Sequence, residues 1–107
     1  MENEAILNFL IYNGEIYPTN EINPLKEMKN PSIYEVIRII DGIPLYLEEH
    51  LTRLRKSAEL LNVKLNKSDN DITMYIHKLI ESNIEYNLNV KILCNNFENN
   101  CMDIYVY

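Results

Sequence analysis

Positive charge is what this chain has least of. Ten Lys and Arg stand against sixteen Asp and Glu, for a net charge of -6. A protein that grips a phosphate backbone needs a concentrated cationic face. The cations that do cluster, Arg53, Arg55 and Lys56, are surrounded by Glu48, Glu49 and Glu59. No nucleic-acid groove is expected, while a local anion site stays open. Long apolar runs are missing as well: no stretch approaches the roughly 18–20 apolar residues that span a bilayer. The start, Met1 to Glu4, is acidic where a signal peptide would be basic. The expectation is a cytoplasmic protein with no membrane partner. Cysteine is limited to Cys94 and Cys101, too few for a disulfide framework and without zinc-ligand spacing, so no metal site is expected. Glycine occurs only at Gly14 and Gly42, in a chain rich in Asn, Ile, Lys and Tyr. That bias reads as genomic base composition rather than function.

What is present is an ordinary globular balance, 47% apolar and 24% charged over 107 residues, enough for one domain with a modest core. Leu7 to Tyr12 is an apolar run ending at Asn13-Gly14, a hairpin turn signal, with Glu15 to Tyr17 as the return strand stopped by Pro18. Thr19 to Ser32 carries Pro24 and Pro31 without a period and reads as a loop. Ile33 to Ile40 is rich in β-branched residues, and Asp41-Gly42 turns it into Ile43 to Tyr46. From Leu47 the period becomes helical, with Leu47, Leu51, Leu54, Ala58 and Leu61 on one stripe. A second helix is predicted from Asp71 to Asn83, with Ile72, Ile76, Leu79 and Ile80 inward and Ser68 as its cap. Leu88 to Asn95 and Cys101 to Tyr107 follow as strands around a polar link, Asn96 to Asn100. Strands grouped apart from helices predict an α+β fold, an antiparallel sheet of hairpins with two helices packed on one face.

In the central strand, Tyr34, Val36, Arg38 and Ile40 share one face and Ile33, Glu35, Ile37 and Ile39 the other. The second set reads mostly as core. The first sets a phenol and a guanidinium beside two aliphatics, a surface that could meet an anionic ligand. The ordinary alternative is a half-exposed strand with Arg38 paired to a surface acid. On the following helix His50, Arg53 and Ser57 border the leucine stripe. An arginine there could hold a phosphate bidentately; equally, Glu49 and Arg53 at i and i+4 could form a surface ion pair of a few tenths of a kcal/mol. His77 falls on the side of its helix away from the apolar stripe and reads as solvated.

Taken together, Tyr34-Glu35-Val36-Ile37-Arg38, Asp41-Gly42, Glu49-His50-Leu51-Thr52-Arg53-Leu54 and Ser57-Ala58-Glu59-Leu60-Leu61 resemble the class IV, pyridoxal-phosphate-dependent aminotransferase family. That family includes branched-chain and D-amino-acid aminotransferases and aminodeoxychorismate lyase. Tyr12-Asn13-Gly14-Glu15-Ile16 is similar to its first hairpin. The resemblance implies an N-terminal small domain, truncated before the larger C-terminal catalytic domain, which would be its partner within a homodimer. It implies that Arg53 binds the phosphate of pyridoxal phosphate with His50 in support, and that Tyr34, Val36 and Arg38 face the substrate. The Schiff-base lysine belongs to the C-terminal domain, and Lys91, mid-strand, does not replace it, so this chain alone is expected to hold no covalent cofactor and not to catalyse. Tyr34-Glu35-Val36 leans toward the D-amino-acid type. The family's Asp-Arg-Gly and Gly-Asp-Gly before the tyrosine strand are absent; Pro24 to Ser32 stands there without glycine, so the substrate loop differs. The alternative is a free-standing, non-catalytic dimerising or ligand-binding module derived from the same fold.

The last two strands allow a register to be chosen. One sets Leu88, Val90 and Ile92 opposite Val106, Ile104 and Met102, with Lys91 opposite Asp103. Another sets Cys94 against Cys101 but Ile92 against Asp103. The first buries apolar side chains at roughly 1.5–3 kcal/mol each, which cross-strand pairs of about 0.2–1 kcal/mol do not match. It is therefore predicted, with Cys94 inward, Cys101 on the opposite face and both thiols reduced.

Overall fold

Two turns set the hairpins. Asn13 and Gly14 have φ of 50° and 87°, and Asp41 and Gly42 have φ of 51° and 77°. Two consecutive left-handed residues match the twist of the flanking strands, which is why Asn-Gly and Asp-Gly are strong turn signals. At Gly14 a Cβ would also come within 3.0 Å of the Tyr75 ring. The turns join strands β1 (Phe9–Tyr12) to β2 (Glu15–Pro18) and β3 (Ile33–Ile40) to β4 (Ile43–Pro44). These coordinates are a computed structural model that describes residues 5–99 and 101–107. The acidic start Met1 to Glu4, and Asn100 in the polar link, lie outside the described residues.

Between the hairpins the expected loop contains a short helix, α1 (Pro24–Glu27). Asn23 starts it, its side chain accepting from the Lys26 amide at 3.4 Å, and Pro24 stands in the first turn, where the missing N–H costs nothing. One turn is too short for apolar periodicity to reveal it. Helix α2 (Leu47–Leu60) and helix α3 (Asp69–Asn83) follow. Ser68 caps α3 in a reciprocal capping box with Asp71, which starts the helix two residues before the predicted Asp71. β4 is shorter than predicted: Tyr46 is instead the left-handed N-cap of α2.

The chain ends in β5 (Leu88–Glu98) and β6 (Cys101–Val106), which occupy the centre of a six-stranded antiparallel sheet of order β2-β1-β6-β5-β3-β4. Leu51, Leu54 and Ala58 of α2 and Ile72, Ile76, Leu79 and Ile80 of α3 bury against Ile33, Ile37, Ile39, Val90, Ile92, Cys94, Met102, Ile104 and Val106. Both long helices therefore cover one face, and the fold is α+β as expected. Opposite, Ala5, Leu10, Leu93, Tyr105 and Tyr107 form a smaller cluster flanked by Ile22. There Tyr105 Oη donates to Glu27 Oε2 of α1 at 3.2 Å.

Neither proposed register of the last hairpin occurs. Ile92 lies opposite Val106, Cys94 opposite Ile104 and Asn95 opposite Asp103, while Lys91 exchanges backbone hydrogen bonds with Tyr107. β5 runs past Asn95 to Glu98, with an irregularity between Asn95 and Glu98 that gives it one residue more than β6. Asn96 in that bulge has φ 56° and Asn99 at the turn φ 52°, conformations asparagine tolerates. The partner of Ile92 moves from Met102 to Val106, an even step, so every side chain keeps its face. Cys94 is buried, Cys101 is exposed and both are free thiols. Among the described residues no helix is long and apolar enough to cross a membrane.

Candidate functional site

β3 carries the candidate site because its two faces have different fates. β4 pairs only with Ile39 and Ile40, and α2 packs along β3 on the helix side. On that side Glu35 stands among Ile33, Ile37 and Ile39, its side chain only 11% exposed. A carboxylate so placed must find donors, and α2 supplies them. His50 Nδ1 lies 2.8 Å from Glu35 Oε1, and Arg53 donates to the same oxygen from Nε at 3.0 Å, with Nη2 in ion-pair contact with it at 3.0 Å. The carboxylate can only accept, so the imidazole proton sits on Nδ1. The 3.2 Å approach of Arg53 Nη2 to His50 Nδ1 is then a contact between two donors, held together by the shared oxygen. His50 is 15% exposed and Arg53 65%. Arg53 Nη1 has no hydrogen-bond partner among the described residues.

The reverse face of β3 is open. Tyr34 is 58% and Val36 47% exposed, and Ile40 is exposed with them. Lys91 Nζ sits 4.7 Å from the Tyr34 ring centroid and 5.9 Å from that of Tyr107. Arg38 Nη1 donates to Asn89 Oδ1 at 3.4 Å, an amide rather than the surface acid of the ordinary reading. Val36, Leu88, Asn89, Lys91 and Tyr107 line an open depression of about 520 Å³ together with an acid, Glu85.

The residues singled out from sequence thus form two groups on opposite faces of one strand. His50 and Arg53 meet through Glu35; Tyr34, Val36 and Arg38 lie across the sheet from them. At the outer edge of β3, Tyr34 of the strand and Ser57 of the helix line one groove with Leu60 and Leu61, which neither His50 nor Arg53 lines. Arg53 itself lines a separate shallow groove with Glu48, Glu49, Thr52 and Lys56. Its ion partner is Glu35, not Glu49. Arg55 donates from Nε to Asp69 Oδ1 at 2.6 Å and from Nη2 to the Lys67 carbonyl at 3.1 Å, tying α2 to the start of α3. His77 is exposed, as expected.

Alternation in β3 assigns the face of Glu35 to the core, so that pattern by itself does not single it out. The signal lies in the exception: one acid among three isoleucines demands partners, and a His-x-x-Arg on the next helix provides them.

The amino-transferase class IV family model matches residues 32–100, a span that begins just before β3 and ends at the last turn. A D-alanine aminotransferase of Bacillus licheniformis is 31% identical over 78 residues, 69% of this chain and 28% of that protein. The branched-chain amino acid aminotransferase of Escherichia coli superposes with a TM-score of 0.78 at 18% identity, over 94% of this chain and 40% of that one. The branched-chain amino acid aminotransferase of Thermobaculum terrenum (an M4 mutant) gives 0.75 at 19%, over 99% and 38%. These structural likenesses speak to the fold. The chain spans well under half the length of each of these relatives.

Proposed function

The chain belongs to the class IV aminotransferases, and from that premise we propose that it is the N-terminal small domain, residues 1–107, of a pyridoxal-phosphate-dependent amino-acid aminotransferase or aminodeoxychorismate lyase. In this reading the domain supplies half of a site and none of its covalent chemistry, the reactive lysine belonging to a larger C-terminal domain. The observation that carries it is the Glu35–His50–Arg53 cluster, set at the edge of a strand whose other face exposes Tyr34 and Val36.

A phosphate dianion fits the donors present. The guanidinium is largely exposed, its Nη1 has no protein partner among the described residues, and planar N–H pairs match phosphate oxygens. Pyridoxal phosphate, when bound, supplies the electron sink for chemistry at the amino-bearing carbon. Arg53 would hold its phosphate, and His50, anchored through Nδ1, would support that arginine. Tyr34, Val36 and Arg38 would face the substrate, the phenol and guanidinium offering polar contacts and Val36 an apolar wall. The 31% identity to a D-alanine aminotransferase supports the lean of Tyr34-Glu35-Val36 toward D-amino acids. The partner would be the remainder of a longer protein in a cytoplasmic homodimer.

Binding of pyridoxal 5'-phosphate, measured by equilibrium dialysis with Arg53→Ala and Lys56→Ala variants, tests the assignment. Loss of a bidentate charge-assisted contact should weaken binding by about tenfold or more at Arg53. Lys56, exposed in the same groove, should matter little. Equal effects would remove Arg53 from the site. Borohydride trapping should find no lysine of this chain modified stoichiometrically; one lysine taking the label would overturn the division of labour between domains.

A further inference from the structure

We infer that Glu35 is the residue that positions Arg53 for an anionic ligand, rather than a counter-ion that neutralises it. The inference rests on the reading of Arg53 as a phosphate-binding group. Glu35 is fixed by the sheet: it sits opposite Ile92 in the β3–β5 ladder, and its side chain is nearly buried. Arg53 is a long side chain with most of its surface in solvent, and such a side chain loses substantial rotamer freedom when held in one geometry. Two of its N–H groups, on Nε and Nη2, reach one oxygen of Glu35. That sets the plane of the guanidinium and leaves Nη1 on the outer side. His50, one turn earlier on α2, gives its Nδ1 proton to the same oxygen, so the carboxylate is itself held from two directions.

Stability does not account for the acid. Desolvating a carboxylate on a face otherwise made of Ile33, Ile37 and Ile39 offsets what the ion pair returns, and such pairs are often matched by apolar side chains. What an apolar residue could not supply is orientation of the guanidinium. The two roles predict opposite signs. A counter-ion lowers the local positive potential, so its removal should tighten anion binding. A positioning group makes the arginine available in one geometry, so its removal should loosen it.

The test is a titration of the chain with inorganic phosphate, read from the side-chain ¹⁵N resonance of Arg53 Nε. In the unaltered chain this N–H should be ordered, exchange slowly with water and shift saturably with phosphate. Glu35→Ala should weaken phosphate binding about tenfold, and Glu35→Gln, which keeps one acceptor oxygen and the shape, should lose less. Phosphate binding as tight as or tighter than the parent's in both variants would overturn the inference while leaving Arg53 in place as the ligand. If phosphate leaves Arg53 unmoved in the unaltered chain and Arg53→Ala binds it equally well, the underlying reading fails and this one with it. A measurement without variants guards against misfolding: an Arg53 Nε–H exchanging as fast as that of Arg38, which is exposed on the open face, would also overturn it.

Discussion

Glu35 and Cys94 illustrate how one buried side chain acquires a role or loses one. The carboxylate is useful because donors surround it. The thiol is inert because burial alone acts on it, pushing Cys94 from 9.0 up to about 12. Tyr105 is raised too, first by burial and then by Glu27. Both groups keep their protons in the folded chain at a pH where the unfolded chain loses them. The unfolded state then binds fewer protons, so stability falls as pH rises from about 9 towards 12. The urea midpoint should decline as pH rises above 9, and Tyr105→Phe should shallow that decline. At pH 8 a thiol reagent should label Cys101, which is exposed, and reach Cys94 only as the chain unfolds. Equal labelling rates would contradict the burial.

At the scale of elements, helix α3 has one well-made end and one strained end. Its start has the Ser68–Asp71 box. Its stop places Ile84, a β-branched residue 73% exposed, at φ 52° in the left-handed region. Glycine takes that conformation without the Cβ clash, which costs other residues roughly 1–2 kcal/mol, and returns about 0.5–1 kcal/mol through greater freedom in the unfolded chain. Ile84→Gly should therefore raise stability by about 0.5–1 kcal/mol, seen as a higher urea midpoint at unchanged slope. A lower midpoint would mean that the exposed side chain makes contacts worth more than the strain. The β5–β6 hairpin shows a different compromise. Its bulge at Asn96 and turn at Asn99 lengthen the ladder, and the inner face keeps Val90, Ile92, Cys94, Met102, Ile104 and Val106 together.

The whole molecule is covered unevenly. α2 and α3 close one face of the sheet, and α1 with Ile22 closes part of the other over Leu10, Leu93 and Tyr105. β3 lies beyond that cover, so Tyr34, Val36 and Ile40 are exposed on one face of the strand, with Arg38 between the last two. Apolar and aromatic surface of this kind favours association. The chain in isolation should self-associate or unfold at modest denaturant, with a melting temperature that rises with protein concentration. Sedimentation equilibrium together with melts over a hundredfold dilution would check this. A monomer whose melting temperature is independent of concentration would count against it.

Much of this organisation was open to local reading. Asn13-Gly14 and Asp41-Gly42 determine their turns because few residue pairs tolerate two left-handed positions. The leucine stripe of α2 and the isoleucine stripe of α3 determine which sides are buried, since periodicity is a property of contiguous residues. Alternation in β3, β5 and β6 likewise determined the faces, including the inward Cys94. Tertiary structure decided what depends on distant partners. The final hairpin's register was set by how far β5 could extend before turning, and alternation gives the face of a side chain without naming its neighbour. α1 holds its place through Asn23 and Glu27, with no period to announce it. Arg53 had a plausible partner four residues away in Glu49, yet the fold brings Glu35, which is both nearly buried and fixed in a sheet. A desolvated carboxylate holds a cation more firmly than a solvated one, and only packing α2 along β3 places the two together.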